Sequence, residues 1–192
     1  MGKAGIRGIR LNLATGGVND PTVGRPRFSA AVERVKARGW HVQLFTSLPM
    51  ITAIKDLVLT SPVPVVFDHF GGAQGEHGVG QPGFADLLEL VKSGKAYVKI
   101  SGAYRSSKRG PDFAEVTPLA QALIAANAER IVWGTDWPHP DSVTPAGKQI
   151  SDVTPLFQID DGLLLNQLAI WSPDAAVRQK ILVSNPARLY GF

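Results

Sequence analysis

The sequence predicts an α/β fold in which parallel strands alternate with helices. Five stretches typical of strands begin at Gly5, His41, Val63, Ala96 and Arg130, and a stretch with helical spacing separates each from the next. This alternation, with room for a helix between strands, is typical of parallel strands joined by right-handed crossovers. Polar residues at the ends of these strands would then meet at one edge of the sheet, where ligands of such folds bind.

Each strand is recognised by side-chain alternation or by an unbroken apolar run. In the first strand Ile9, Leu11 and Leu13 share one face, whereas Arg10 and Asn12 share the other. The last strand contains the run IVW, whose β-branched and aromatic residues are typical of a strand enclosed on both faces. The predicted strands run from Gly5 to Leu13, His41 to Ser47, Val63 to Gly72, Ala96 to Arg105 and Arg130 to Asp136.

Helices are predicted between the strands, where apolar residues recur about once per helical turn. They cover the stretches Phe28 to Val35, Ile51 to Val58, Phe84 to Val91 and Thr117 to Asn127. Gly39, the sequence SPVP and Gly94 mark the ends of the first three helices. Thr117 followed by Pro118 is typical of an N-cap with proline at the first helical position.

The C-terminal part is predicted to consist of a loop followed by helices. The loop extends from Asp141 to Asp160, one helix starts after Asp161, and another starts after Ser172 with Pro173 in its first turn. The closing sequence NPARLYGF follows. We expect these terminal helices to pack on the outside of the fold.

Length and composition indicate a single domain, residues 1–192. A chain of 192 residues that is 44% hydrophobic can bury a sizeable core, and no Pro- or Gly-rich linker divides it. No window approaches the roughly 18 continuous apolar residues of a membrane span, and the first residues lack the apolar segment of a secretory signal. The expected location is the cytoplasm.

Charge and cysteine content narrow the classes of partner. The net charge of +4 is spread along the chain as single Lys and Arg residues, without the basic run that nucleic-acid grooves need. A small anionic molecule is therefore the expected partner, rather than nucleic acid or a membrane. Because the chain has no cysteine, a metal would depend on four histidines and the carboxylates.

Asp136 is the first candidate catalytic residue, because it follows a buried strand at the point where side chains meet solvent. Pro138 and Pro140 stiffen the chain beyond it. The alternative is that Asp136 caps a turn, as aspartate often does near proline.

Four motifs together resemble one enzyme family. The sequences DHFGG, VKISGAYR, IVWGTDWPHP and NPARLYGF are similar to those of the amidohydrolase-related family of the amidohydrolase superfamily. The similarity is strongest to its metal-independent lactonases, such as the pyrone dicarboxylate lactonases. It extends through nearly the whole chain, with the motifs in the same order.

The resemblance implies a partial (β/α)8 TIM barrel, in which the five strands correspond to the fourth to eighth. The HxH motif of the family's first strand does not occur among the four histidines. Five strands cannot close a barrel, so the first and last strands would each leave backbone groups unpaired and offer edges for self-association. We therefore interpret the chain as a barrel fragment, with an assembly in which another chain supplies the missing strands as the alternative.

The resemblance also implies roles for several residues. Asp136 would activate a water molecule as general base, and His69, predicted to share a strand face with Val65 and Phe67, would polarise the substrate carbonyl or transfer a proton. Arg105 would hold a substrate carboxylate, with Tyr104 beside it. Arg10 is a second candidate anchor for an anion, although the sequence ATGGVND lacks the further arginine that pyrone lactonases have there.

Each of these residues also has a structural interpretation. His69 could bond a nearby backbone carbonyl, and Arg105 could be an exposed loop arginine. His139, between two prolines, would serve loop rigidity, and His41 and His77 are predicted to lie on the surface.

The sequence favours a metal-independent hydrolase of a lactone that carries carboxylates, without a cofactor. Metal-using relatives have a histidine at the end of the strand where this chain has Phe45 and Ser47, and phenylalanine cannot bind zinc. The alternatives are a metal-dependent hydrolase or decarboxylase, and a catalytically inactive barrel fragment.

Overall fold

The computed structural model describes residues 2–15, 17–141, 149 and 151–192, and its centre is one parallel sheet. Five strands follow one another in sequence order: β1 (Gly8–Asn12), β2 (His41–Phe45), β3 (Val65–Phe67), β4 (Ala96–Ser101) and β5 (Ile131–Gly134). Parallel strands in this order are the arrangement of consecutive strands in a (β/α)8 barrel. The predicted α/β class and partial barrel are confirmed.

Helices connect the strands and follow the last one. They are α1 (Pro21–Lys36), α2 (Leu48–Leu59), α3 (Phe84–Lys92), α4 (Ala103–Ser106), α5 (Thr117–Asn127), α6 (Asp161–Trp171), α7 (Ala175–Gln179) and α8 (Asn185–Tyr190). A π-helical stretch, Lys180–Ser184, joins α7 to α8. Within the predicted loop from Asp141 to Asp160, residues 142–148 and 150 lie outside the described residues. No helix in the described part of the chain is both long and apolar enough to cross a membrane.

Aspartate side chains cap three of the helices. Asp20 accepts a hydrogen bond from Thr22 N at the start of α1, and Asp160 and Asp174 do the same for α6 and α7. The prediction of Thr117 as an N-cap was wrong. A 3-10 turn leads directly into α5, so Val116 is the cap residue and Thr117 is already helical.

The two faces of the sheet carry different kinds of side chain. The face toward α1, α2, α3 and α5 carries fully buried apolar side chains, including Val42, Leu44, Val65, Phe67, Val98 and Ile100. The opposite face, which we call the site face, carries Arg10, Gln43, Val66, Lys99 and Val132. The polar face predicted for the first strand is therefore the one that faces the site.

The last helix covers the lower part of the site face. Leu189 of α8 packs on a small cluster formed by Val66, Tyr97 and Val132. The expectation that all terminal helices lie outside is therefore wrong for α8, although α6 does pack with α5. These three side chains would otherwise expose apolar surface, and burying such surface is favourable.

All five predicted strands extend beyond the observed ones, and left-handed residues lie at the limits of the first, third and fourth. The first begins only at Gly8, after Gly5 with its φ of 90°. The third ends at Phe67, since His69, Phe70, Gly71 and Gly72 all have positive φ angles and form a 3-10 turn. The fourth ends before Gly102, whose φ is 57°, and α4 follows. The site residues that follow these strands therefore lie on turns and a short helix.

Candidate active site

A hollow of about 610 Å³ opens at the carboxyl ends of the strands, on the site face. Every strand, or the turn that follows it, contributes to its wall, as expected for a barrel-type sheet. Its lining includes Arg10, Phe45, Asp68, His69, Lys99, Ser101, Arg105 and Asp136. The structure thus brings together four of the five predicted residues, Asp136, His69, Arg105 and Arg10. The fifth, Tyr104, donates a hydrogen bond to Asp136.

Asp136 presents its two carboxylate oxygens to different partners. The residue lies two positions after β5, with a φ of 70°, and its side chain is 19% exposed. Oδ2 accepts hydrogen bonds from the Tyr104 hydroxyl at 2.7 Å and from Arg105 Nε at 2.5 Å. Oδ1 lies 3.6 Å from His69 Nε2. One oxygen is therefore fixed, while the other faces the histidine.

His69 is a buried imidazole aimed at that carboxylate. Its Nδ1 lies 3.0 Å from the Ser101 hydroxyl, and the Phe45 ring packs edge to face against it at 5.3 Å. Burial lowers the pKa of His69 below its ordinary value, although Asp136 and Asp68 act in the opposite direction. At neutral pH the ring is uncharged, so it can donate one hydrogen bond and accept another.

Gly102 makes this close approach of His69 and Asp136 to β4 feasible. A Cβ atom at this position would lie 3.0 Å from both Asp136 Oδ2 and His69 Nδ1. Its positive φ is also a conformation that glycine adopts without steric penalty. The glycine of the SGAYR sequence therefore belongs to the site, a role that the sequence analysis did not assign.

Arg105 and Tyr104 lie on α4 and are directed at Asp136. Besides its bond to Asp136, Arg105 donates from Nη2 to the Pro140 carbonyl at 2.7 Å, and its side chain is largely buried. Burial and the hydrogen bond to Asp136 raise the pKa of Tyr104, so its hydroxyl stays protonated as a donor. Both residues, predicted to bind substrate, here orient the Asp136 carboxylate.

A second polar cluster is centred on Asp68, which sequence reasoning did not single out. Its side chain is 1% exposed and accepts hydrogen bonds from Arg10 Nε and Gln43 Nε2, each at 2.8 Å. Lys99 Nζ lies 3.2 Å away. Burial acts to raise the pKa of Asp68, but Lys99, His69 and Arg10 outweigh it and hold the pKa below its ordinary value.

A signal for this cluster was present in the sequence. Gln43 and Lys99 occupy the same face of their strands as Arg10 does in β1. Like Arg10, Gln43 and Lys99 are polar and line the hollow. Only the strand pairing shows that these side chains meet at Asp68.

The other three histidines are not among the residues that line the hollow. His139 is buried, with Nε2 at 3.2 Å from Asp161 Oδ1 and its ring at 5.6 Å from that of Tyr104. His77 is exposed as predicted. The prediction that His41 lies on the surface was wrong, since it is buried against the Tyr190 ring, and Gly8 leaves space for it.

Few potential metal ligands lie together at this site in the described part of the chain. Among residues 2–15, 17–141, 149 and 151–192, no three His, Cys, Asp or Glu side chains are grouped closely enough to hold a metal ion. Phe45 occupies the end of β2, and Oδ2 of Asp136 already has two donors. A catalytic zinc usually has three protein ligands.

Comparison with known proteins finds one family and several lactone-converting relatives. The model of the family described as Amidohydrolase matches residues 1–192. The 4-sulfomuconolactone hydrolase of Rhizobium radiobacter is 36% identical over 152 residues, which are 79% of this chain and 48% of that protein. A 2-pyrone-4,6-dicarboxylate hydrolase of Comamonas testosteroni is 31% identical over 196 residues, covering 97% of this chain and 60% of that protein.

A crystal structure from Pseudomonas putida, assigned as a 2-pyrone-4,6-dicarboxylic acid hydrolase, has the same fold. It is 33% identical with a TM-score of 0.76, and the match covers 100% of this chain and 65% of that one. The chain thus spans about half to two thirds of the length of the relatives that it matches.

Proposed function

Because this chain belongs to the amidohydrolase family, we propose that it is a lactone hydrolase in which Asp136 is the general base. The observation that carries the proposal is that the two carboxylate oxygens of Asp136 have different partners. Tyr104 and Arg105 fix Oδ2, which leaves Oδ1 beside His69 Nε2 to accept a proton. The names of the similar hydrolases, which act on a sulfomuconolactone and a pyrone dicarboxylate, support a lactone substrate.

The reaction follows from these positions. Asp136 Oδ1 takes a proton from a water molecule, whose oxygen attacks the ester carbonyl of the lactone. The neutral His69 donates a hydrogen bond from Nε2 to the oxyanion that forms, while the Ser101 hydroxyl donates to Nδ1 and fixes this tautomer. Collapse of the intermediate breaks the ring C–O bond. The proton that Asp136 took from water passes to the departing ring oxygen.

An exposed guanidinium edge at the hollow supports a substrate that carries acidic groups. Arg10, Lys99 and Arg105 supply three cations to the lining, and Asp68, Asp136 and Asp141 supply three carboxylates, so the formal charges balance. Arg10 uses Nε for Asp68, and its side chain is 42% exposed, so its outer edge faces the hollow. A guanidinium edge in a partly desolvated site suits a carboxylate or sulfonate.

Independence from a catalytic metal is part of the proposal. It is supported by Phe45 at the end of β2 and by the engagement of Asp136 Oδ2 with two donors. The resemblance to metal-independent lactonases points in the same direction.

The experiment compares wild-type protein with Asp136→Asn, and with Glu76→Gln as a control at an exposed carboxylate. The substrates are 2-pyrone-4,6-dicarboxylate, 4-sulfomuconolactone and the neutral δ-valerolactone. We expect hydrolysis of an acidic lactone in the presence of EDTA, a loss of about 10²- to 10⁴-fold in kcat for Asp136→Asn, and no change for Glu76→Gln.

Three results would contradict parts of the proposal. Absence of hydrolysis across the panel would support the inactive-fragment alternative. Activity lost in EDTA and restored by zinc would support the metal-dependent alternative. Full activity of Asp136→Asn would remove this residue from the role of base.

A further inference from the structure

The Phe45 ring contacts three of the polar side chains that line the hollow. Arg10 Cζ lies over the ring at 5.2 Å from its centroid, and Arg105 Cζ lies over it at 5.9 Å. The His69 ring meets it edge to face, with 5.3 Å between the centroids and an angle of 85° between the planes. One apolar side chain therefore touches the proposed anion anchor, the arginine that holds Asp136 and the histidine next to that carboxylate.

The backbone of Phe45 is fixed by the sheet. The residue ends β2 and pairs with Asn12 of β1, and its carbonyl accepts hydrogen bonds from Leu13 N at 2.9 Å and Ala14 N at 3.0 Å. The residue is partly buried and lines the hollow. The ring is therefore a fixed surface on which the longer side chains of the site can pack.

Arg10 depends on this ring more than Arg105 does. In the described part of the chain, Asp68 is the one hydrogen-bond partner of the Arg10 guanidinium, and the Arg10 side chain is 42% exposed. Arg105 also lies over the Tyr104 ring, at 5.0 Å from that centroid, and its side chain is largely buried. A cation over an aromatic face is attracted to it, so Phe45 limits the directions that the remaining N–H groups of Arg10 can take.

The edge-to-face contact sets the plane of the His69 ring. Perpendicular aromatic rings attract each other through the positive edge of one and the negative face of the other. Ser101 Oγ lies 3.0 Å from Nδ1, and Nε2 lies 3.6 Å from Asp136 Oδ1. Rotation of the imidazole about its hydrogen bond to Ser101 would disturb the contact with Phe45, so the two contacts together direct Nε2 toward Asp136.

We propose that Phe45 is a positioning residue, which holds Arg10 where it meets the acidic group of the substrate and His69 where it meets the oxyanion. Phe45 acts through these two side chains and takes no part in proton transfer. This inference deepens the proposed function and rests on it for the identity of the reaction. The link between Phe45 and Arg10 can be tested by ligand binding, without turnover.

The test is a double-mutant cycle in which isophthalate, a flat ring with two carboxylates, is the probe and calorimetry measures its binding. We expect Phe45→Leu, which removes the aromatic face, to bind isophthalate about three- to tenfold more weakly than wild type. Phe45→Tyr keeps the aromatic face and is expected to bind within about twofold of wild type. Once Arg10→Gln has removed the cation, Phe45→Leu is expected to have little further effect, because the two changes remove the same interaction.

The matched control is Phe84→Leu, the same substitution at a fully buried ring that is not part of the lining of the hollow. This variant is expected to lower thermal stability and to leave isophthalate binding unchanged. An equal effect of Phe45→Leu in the wild-type and Arg10→Gln proteins would overturn the proposal. Absence of isophthalate binding to wild type, or wild-type affinity of Phe45→Leu, would overturn it as well.

Turnover separates this inference from the proposed function. With an acidic lactone as substrate, Phe45→Leu is expected to raise KM by about the factor that it weakens isophthalate binding, and to lower kcat about tenfold because His69 is displaced. Phe45→Tyr is expected to restore most of both. An unchanged kcat of Phe45→Leu would overturn the role of Phe45 at His69. Absence of hydrolysis by wild type, with the coupling between Phe45 and Arg10 intact, would contradict the proposed function alone.

Discussion

At the scale of single residues, the site depends on how the Asp136 carboxylate is held. Its positive φ turns the residue back toward the sheet, where Tyr104 and Arg105 of α4 can reach Oδ2. A residue other than glycine in this conformation requires support from its surroundings. These two hydrogen bonds provide that support and leave Oδ1 in the hollow.

Substitution of Gly102 by alanine tests how tightly the site is packed. The new Cβ would lie 3.0 Å from Asp136 Oδ2 and from His69 Nδ1, at a residue whose φ is positive. We expect the two side chains to shift, with kcat for lactone hydrolysis lowered about tenfold or more, because small displacements of catalytic groups are costly.

The matched control is Gly80→Ala, whose Cβ would meet no atom within 4 Å and whose φ is not positive. Equal activity of both variants would show that the space beside Gly102 is not needed.

Two buried histidines are expected to make the folded protein less stable in acid. Burial lowers the pKa of His41, with Lys99 adding to the effect, and burial is also the main cause of the lowered pKa of His69. Both folded-state values lie below the ordinary 6.5, so below that pH the unfolded chain binds more protons than the folded one. The contribution of these histidines to the free energy of unfolding is therefore fully present above about pH 6.5. It is lost as the pH falls from there through the folded-state pKa values.

The measurement is urea denaturation between pH 4 and 8 for wild type and His41→Phe, where each histidine contributes at most about 1.4 kcal/mol per pH unit. The variant is expected to lose part of the decline below pH 6.5, whereas His77→Gln, at an exposed histidine, is expected to keep it. The lowered pKa of Asp68 acts separately, below its ordinary 3.8. An unchanged profile for His41→Phe would contradict this account.

At the scale of secondary-structure elements, the buried side chain of Asn185 ties α8 to the sheet. Asn185 is fully buried, and its Nδ2 donates to the carbonyls of Ala128 at 2.8 Å and Ile131 at 2.7 Å. Ile131 belongs to β5, so this amide ties α8 to an edge strand of the sheet. Leu189 then packs on the site face from the same helix.

Removal of this amide is expected to loosen α8. Asn185→Ala leaves two buried carbonyls without their donor, which costs about 1–3 kcal/mol of unfolding free energy. Chemical denaturation measures the loss, with Asn166→Ala on the exposed side of α6 as the control. A change below about 0.5 kcal/mol would show that Asn185 does not anchor the helix.

At the scale of the whole molecule, the sheet has open edges. The strand order makes β1 and β5 the outer strands, and among the described residues neither has a strand on its far side. Asn185 occupies one carbonyl of β5, so that edge is partly covered by α8. The edge at β1 has no such cover in the described chain, and exposed edges can pair with another copy.

Self-association is therefore expected to depend on protein concentration. Raising the concentration about a hundredfold should increase the average mass in analytical ultracentrifugation by mass action. Because backbone pairing is not ionic, the association should persist at high salt, unlike one driven by surface charges. A constant monomer mass over the whole concentration range would show that the open edges do not cause self-association.

The sequence by itself determined the fold class and predicted several residues of the candidate site. Alternation and helical spacing gave five strands and the helices between them, because these periods reflect which side chains face the core. The motifs indicated Asp136, His69 and Arg105, and the alternation of the first strand indicated Arg10. The structure places all four around one hollow.

The tertiary structure alone decided how those residues are used. Strand lengths were overestimated because left-handed turns at His69 and Gly102 depend on packing that no local pattern records. The cluster at Asp68, the burial of His41 and the position of α8 on the site face each join residues distant in sequence. Local periodicity shows which face a side chain occupies, but its partner is fixed only when the strands pair, because hydrogen bonds and ion pairs depend on distances between separate elements.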